Sequence, residues 1–198
     1  MKQWAKILIS VLLVIIVGGG LGFGLTHSIG WGVYNSNAVW FGPWRTNLLH
    51  GSTAQDPYLR YIIGVWAVMA LPSQETIYFG AHMDDTLQLL DCKYDYVLEG
   101  NKNIDTRWWS ITVYDEGGWL IPNPDDLYSI NLNTVKADAD GKYRVYLSRT
   151  KKEGNWLPLG ESNQFQMLFR CYNPGVSIYK TPDRAELPKI TRVKEAGK

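Results

Sequence analysis

The chain is poorly equipped for the commonest catalytic chemistries. Its 198 residues include only 2 cysteines and 3 histidines, and His27, His50 and His82 stand too far apart for any H-x-H, H-E-x-x-H or cysteine-paired metal spacing. No G-x-S-x-G elbow occurs, and Ser110 and Ser129 have no histidine near them in sequence, which removes the signature of a serine hydrolase. Gly18-Gly19-Gly20-Leu21-Gly22 lies in an apolar run where glycine permits close helix packing, so it is not a phosphate loop, and no cofactor is expected. Neither sign of charge is in excess. With Lys2 and Lys6 set aside, 18 basic residues meet 19 acidic ones, so net charge argues for neither nucleic acid nor acidic lipid as a partner.

Charge is absent altogether from Ile7 to Leu25 (ILISVLLVIIVGGGLGFGL). These 19 residues match the length a helix needs to cross a hydrocarbon core of ~30 Å at ~1.5 Å per residue. Lys2 and Lys6 precede the run and the next Lys or Arg is Arg45, which places the N-terminus in the cytoplasm and the rest outside. A signal peptide has a shorter apolar stretch, of about 7 to 15 residues, ending in a small-x-small site. Thr26 to Gly30 contains no A-x-A pattern, so a retained single-span anchor is expected. The organisation predicted is a cytoplasmic N-terminus and anchor over 1–25, a juxtamembrane linker over 26–55, and an ectodomain over 56–198. The linker mixes Gly, Asn and Ser with Trp31, Tyr34, Trp40 and Trp44; the nearer aromatics suit the headgroup level, and Trp40 and Trp44 are expected to pack on the domain.

What the chain has in quantity is aromatic, with 9 Trp and 12 Tyr. Asp56-Pro57 is an N-cap followed by proline at the first helical position, and Tyr58, Ile62, Val65, Trp66 and Met69 recur at helical spacing until Leu71-Pro72. This helix carries Arg60 and is too short for a second span. From Glu75 the period becomes two. Strands are predicted near 75–83, 93–98, 107–115, 119–121, 127–132, 142–148, 165–172 and 176–179, with turns at Asp115-Glu116-Gly117-Gly118 and Asp138-Ala139-Asp140-Gly141. Many short strands separated by Gly and Asp turns predict a mainly β protein, an antiparallel β-sandwich or jelly-roll-like ectodomain with one accessory helix.

Alternation also sorts the faces. Ile77, Phe79, Trp109, Ile111, Val113, Tyr143, Val145, Leu147, Phe165, Met167 and Phe169 form a core side. Opposite them stand Tyr78, His82, Trp108, Ser110, Thr112, Tyr114, Arg144, Tyr146, Arg170 and Tyr172, a face that is polar, aromatic and arginine-bearing at once. Such a face suits a glycan or an aromatic ligand, and equally a layer covered by the helix or loops. The ligand-binding candidates are Trp108, Tyr114, Arg144, Trp156 and Arg170, because an aromatic platform beside a guanidinium is a common recognition pairing. Trp156, in a Gly- and Pro-flanked loop, has the alternative role of closing one end of the sandwich.

Cys92 and Cys171 both fall on core-facing positions, which leaves open a disulfide between them or two separate buried thiols. His82, Asp84, Asp85 and Asp91 suggest either an oxygen-rich calcium corner or solvated turn residues. Adjacent acids in a strand point to opposite faces, so a glycosidase-like dyad has to be assembled from different strands. Asp115 and Asp125 are the best placed for it, although turn and cap roles suit them better.

Four stretches in order carry a resemblance. They are Glu75-Thr76-Ile77-Tyr78 with Asp84 beyond, Arg107 to Asp115 (RWWSITVYD), Pro122 to Ser129 (PNPDDLYS), and Asn155-Trp156-Leu157-Pro158 leading to Phe165 to Pro174 (FQMLFRCYNP). Together they resemble the bacterial family called domain of unknown function 1214, whose members are β-rich, jelly-roll-like modules, often C-terminal to domain of unknown function 1254. The family usually has a basic residue where Leu127 stands here, and no catalytic set comes with the resemblance. Taken with the apolar run over 7–25 and its preceding lysines, the bacterial source that it implies makes the expected location the inner membrane, with the C-terminal domain in the periplasm. The function expected is a noncatalytic module that binds or scaffolds an envelope glycan or a membrane-proximal protein; the alternative is a hydrolase or lyase acting on an envelope polymer or small hydrophobic compound.

Overall fold

The structure is a computed structural model that describes residues 3–65, 70–182 and 185–195. It opens with α1 (Gln3–Ser36), whose mean hydropathy reaches 2.5 and whose apolar window has no buried residue. At ~1.5 Å per residue α1 is about 51 Å long, well beyond the ~30 Å of a bilayer core. An N-terminal helix of this length and composition is compatible with a membrane anchor or a signal sequence. It runs past Leu25 through eleven residues expected in a linker, so that stretch continues the helix.

The rest of residues 26–55 is also built into the fold. β1 (Val39–Phe41) and β2 (Trp44–Thr46) form a hairpin around Gly42, whose φ of +58° favours a residue without Cβ. Trp44 is buried against Phe169, and its indole N–H donates to the Pro188 carbonyl at 2.8 Å. Asp56 caps α2 (Pro57–Val65) as expected, its Oδ1 accepting from the backbone N–H groups of Tyr58 (2.8 Å) and Leu59 (3.0 Å). Leu59 and Ile62 are the buried residues of α2, whereas Tyr58 and Val65 are exposed, so the buried stripe is rotated from the one the spacing suggested. Trp66 and Met69, expected on the same helix, lie outside the described residues. Gly30 of α1 sets the approach of the two helices: a Cβ there would stand 2.7 Å from Ile62 Cγ1 and 3.3 Å from the Tyr58 carbonyl oxygen.

The strands that follow are β3 (Thr76–Ala81), β4 (Tyr94–Asn101), β5 (Thr106–Asp115), β6 (Ser129–Asn131), β7 (Lys142–Ser148), β8 (Asn155–Pro158), β9 (Phe165–Pro174) and β10 (Lys189–Glu195), with the short helix α3 (Val176–Lys180) after β9. They make a six-stranded sheet in the order β1-β2-β3-β9-β5-β6 and a four-stranded sheet in the order β10-β4-β7-β8. The six-stranded sheet is antiparallel throughout, while β7 and β8 run parallel, so the smaller sheet is mixed.

One core joins the two sheets. Ile77, Phe79, Trp109, Ile111, Val113, Phe165, Met167 and Phe169 enter it from the larger sheet, and Tyr96, Leu98, Tyr143, Val145, Leu147 and Leu157 from the smaller. Trp109 stacks on Tyr143 at 5.3 Å and Tyr96 meets Phe165 edge-on at 5.3 Å, ring contacts that bridge the layers. β9 alternates buried and half-buried residues along most of its length, as a strand with one covered face should.

Three strand assignments need correction. Residues 119–121 make a single bridge, Leu120 to Tyr114, after the turn at Asp115. The strand expected over 127–132 is reduced to β6, because the Asn123 side chain holds the Leu127 backbone in a turn. Residues 176–179, read as a strand, form α3: Asn173 at φ +47° turns the chain, and Asp105 accepts from the backbone N–H of Gly175 and from the Ser177 hydroxyl. No strand was foreseen at β1, β2, β8 or β10.

Candidate functional site

The residues expected on one polar and aromatic face divide between the two sheets. Tyr78, Trp108, Ser110, Thr112, Tyr114, Arg170 and Tyr172 share the outer face of the larger sheet, with Arg170 in register between Tyr78 of β3 and Ser110 of β5. Arg144, Tyr146 and Trp156 belong to the smaller sheet, where Tyr146 pairs with Trp156. Alternation assigns a residue to the outside of its own sheet and carries no information about which sheet that is.

Arg144 is exposed and donates from Nε and Nη2 to Glu99 Oε1 at 2.9 and 2.5 Å across β4 and β7. Trp156 is buried, its Nε1 donating to the Ser148 carbonyl at 3.2 Å and the Ser148 hydroxyl at 3.0 Å. Neither can join Arg170 in a recognition pair. Trp108 is half-buried against Tyr172 at 5.2 Å, while Tyr114 and Arg170 come together in a cavity.

That cavity measures about 760 Å³ and lies on the outer face of the six-stranded sheet. β2, β3, β9 and β5 supply its floor, Ile62, Ile63 and Val65 of α2 one wall, and Trp31 and Tyr34 at the end of α1 another. Arg170 donates from Nη1 to Thr112 Oγ1 at 3.0 Å and from Nη2 to the Tyr114 hydroxyl at 2.6 Å. Both partners are neutral, so its charge has no counter-ion there among the described residues. Arg45 also lines the cavity, its guanidinium 5.4 Å from the ring centre of Tyr34 and 5.6 Å from that of Trp40. No Asp or Glu occurs among the described lining residues.

His50 closes one side, stacked on Tyr34 at 5.9 Å and tilted against Tyr78 at 6.1 Å. Burial, and after it the Arg45 charge, push its pKa down to about 4, so the imidazole is neutral at pH 7. Both ring nitrogens are buried without a hydrogen-bond partner among the described residues, as is the hydroxyl of neighbouring Thr46. Gly80 opens the floor: next to the last residue of β3, a Cβ added there would meet nothing within 4 Å. Such an open glycine leaves room for a ligand to approach the backbone.

Several sequence expectations resolve elsewhere. Asp115 caps its turn, Oδ1 accepting from Trp119 N–H at 2.8 Å, and Asp125 pairs with Lys151 at 2.5 Å, so the two acids do not form a dyad in this cavity. Asp84 is buried and ion-paired to Arg192 at 2.9 Å, and its Oδ1 accepts from the Thr86 hydroxyl (2.6 Å) and the backbone N–H groups of Thr86 and Gln88. Burial raises its pKa, but the hydrogen bonds and the Arg192 charge outweigh burial and hold it below the usual carboxylate value. No group of three or more His, Cys, Asp or Glu among the described residues is arranged to hold a metal, so the calcium corner is not assembled.

Cys92 and Cys171 are free and buried. The backbone N–H of Cys92 donates to Asn163, just before β9, whereas Cys171 lies six residues beyond the first residue of that strand, about 20 Å away at ~3.3 Å per residue. A disulfide needs Cα atoms within roughly 7 Å. Burial pushes Cys92 up to about 11 and Cys171 up to about 12, so both are inert thiols at pH 7. Sequence reasoning missed Arg45, His50 and Gly80; the lone glycine inside an otherwise well-patterned strand was the available signal.

The family described as "Protein of unknown function (DUF1214)" matches residues 75–176. The fold is similar to the crystal structure of the VPA0106 protein from Vibrio parahaemolyticus, at 28% identity and a TM-score of 0.58 over 71% of this chain and 36% of that one. An uncharacterized protein from Burkholderia cenocepacia is similar at 15% identity and a TM-score of 0.47, over 60% of this chain and 30% of that one. The chain thus spans about a third of the length of these solved relatives. No curated protein matches it.

Proposed function

Because the chain belongs to the DUF1214 family, for which no function is known, we propose a role from the cavity itself: a noncatalytic binding module held at a membrane, which takes a small envelope component between its larger sheet and its helices. The observation that carries this reading is the cavity of about 760 Å³ floored by the outer face of β2, β3, β9 and β5. Its size falls within the ~300–1,000 Å³ usual for small-molecule sites, and its mixture of apolar walls with a few polar groups is the usual lining.

In this reading residues 7–25 remain as the anchor, the N-terminus is cytoplasmic, and the domain lies outside, in the periplasm of a bacterium. An enzyme built on an acid pair would require carboxylates at the cavity, and none is among its described lining residues; the two arginines are permanent cations and suit holding rather than proton transfer.

The test is Gly80→Leu in the full chain. The side chain enters the cavity at a position where a Cβ meets open space, so it obstructs the floor between Arg45 and Arg170 without disturbing the core. Wild-type protein extracted from membranes in a neutral detergent is expected to release a small molecule on denaturation, identified by mass, and the folded Gly80→Leu protein to release none. Equal release from both would overturn the reading.

A further inference from the structure

Given the membrane-held binding module proposed above, on which this step rests, we infer that the cavity ligand is a single-chain amphiphile with an anionic head, a fatty-acid carboxylate or a lysophospholipid phosphate drawn from the adjoining membrane. Three observations point there.

The first is uncompensated charge. Arg45 and Arg170 both line the cavity with no Asp or Glu among the described lining residues, and their recorded contacts are rings and neutral hydroxyls. Both arginines are half-buried, and partial desolvation makes an anionic partner favourable. A bound anion supplies one. The Tyr114 hydroxyl accepts from Arg170, which leaves its own proton available for a head group. Neutral His50 and Thr46 stand beside Arg45, their side-chain polar atoms enclosed and without a partner among the described residues.

The second is geometry. Arg45 is in register with Gly80, and Gly80 with Leu168, two residues before Arg170 on β9. Two interstrand spacings of ~4.8 Å and two residues of ~3.4 Å put the Arg45 and Arg170 Cα atoms about 12 Å apart, with the open floor at Gly80 between them. A head group settles at the arginines, while Ile62, Ile63, Val65 and Leu71 offer the tail an apolar wall.

The third is location. Trp31 and Tyr34 are cavity walls, six and nine residues beyond Leu25 on the same unbroken helix. At ~1.5 Å per residue they stand about 9 and 14 Å above the end of the apolar run, beside the headgroup layer from which such a ligand comes. Net charge carries no hint of this site, because the two arginines act locally and the domain as a whole is nearly neutral.

The full chain in dodecyl maltoside is tested by native mass spectrometry against hexadecanoate, 1-palmitoyl lysophosphatidylglycerol and uncharged hexadecanol. One anionic amphiphile per chain is expected, with at least tenfold preference over hexadecanol; hexadecanoate alone indicates a free fatty acid, the lysolipid alone a membrane lipid, and both the shared head-and-tail chemistry. Arg45→Gln and Arg170→Gln are each expected to weaken binding of the anion about tenfold or more, as loss of a charged hydrogen-bond partner does. Among the described residues the Arg45 side chain meets the rings of Tyr34 and Trp40 and makes no hydrogen bond or ion pair, so that variant keeps the test clear of folding defects. Equal binding of hexadecanol and hexadecanoate, abolished by Gly80→Leu, would overturn the anionic head and leave the cavity's binding role standing. No adduct with any of the three, or adducts undiminished in Gly80→Leu, would overturn this inference; a different compound released in the membrane-extraction test would then still support the binding module.

Discussion

Lowering the pH from 7 to 5 is expected to weaken the fold through His50. The histidine lies between Tyr34 and Tyr78 with the Arg45 guanidinium nearby, and its pKa of about 4 contrasts with 6.5 in an unfolded chain. A folded-state pKa below the unfolded value means that protonation favours unfolding, so stability is complete above pH 6.5 and falls as pH drops from there toward 4. With those two values the loss between pH 7 and 5 is about 2 kcal/mol, reaching about 3 kcal/mol near pH 4. For a urea m-value near 2 kcal/mol per M, this moves the unfolding midpoint down by about 1 M between pH 7 and 5. The assay is urea unfolding of the full chain in neutral detergent, followed by near-ultraviolet circular dichroism, for wild type and His50→Gln. His82 is shifted in the same direction, by burial and then by Arg45, so the wild-type slope contains both histidines and the difference between the two proteins isolates His50. Identical pH slopes in the two proteins would refute the argument. A ligand that supplies an anion beside Arg45 and His50 is expected to flatten the wild-type slope by raising the His50 pKa.

The other expected outcomes concern single contacts. Asp84→Asn, which leaves Arg192 without its buried partner, is expected to cost about 2–3 kcal/mol by urea midpoint, below the ~3–5 for fully enclosed pairs because Arg192 is partly exposed. The Asp84 contribution is present above the unfolded pKa near 4 and is lost as pH falls through its lower folded value, so the wild-type and Asp84→Asn curves should converge in strong acid. Tyr143→Phe removes a buried hydroxyl with no partner among the described residues and should be neutral or stabilising by about 1 kcal/mol in the same assay, whereas a comparable loss would reveal a missed hydrogen bond. Gly30→Leu drives a side chain into Ile62 and should destabilise by about 1–3 kcal/mol, with matching loss of ligand from the cavity wall that α2 provides. Iodoacetamide at pH 7.5 is expected to leave Cys92 and Cys171 unlabelled until denaturant is added; rapid labelling of the native protein would contradict their burial.

What the sequence made legible was local. Every core residue assigned by alternation in β3, β5, β7 and β9 is buried, because a strand with one covered face imposes a period of two on its own residues. β10 escaped notice because Lys189, Arg192 and Lys194 give it the composition of a surface segment; as an edge strand it tolerates these charges, which discourage pairing with other chains. β8 has all four residues buried and no alternation, as befits a short strand paired in parallel beside β7. α3 contradicts the β propensity of Val176 and Ile178 because contacts from Asp105, distant in sequence, decide its backbone. For the candidate site, Tyr114 and Arg170 were legible from their shared face. Arg45 and His50 come from a segment without periodicity, and only the β2–β3 pairing brings Arg45 alongside Gly80.

In the anchor reading proposed above, α1 runs without interruption from its apolar run to the cavity and so acts as a spacer of fixed length. A flexible linker would let the cavity wander up and down, but a helix holds it at one height. One residue inserted just after Leu25 lifts Trp31 and Tyr34 by ~1.5 Å, and four lift them by ~6 Å. Uptake of a membrane-derived ligand should then decline with insertion length, and uptake unchanged by four added residues would mean that height does not matter.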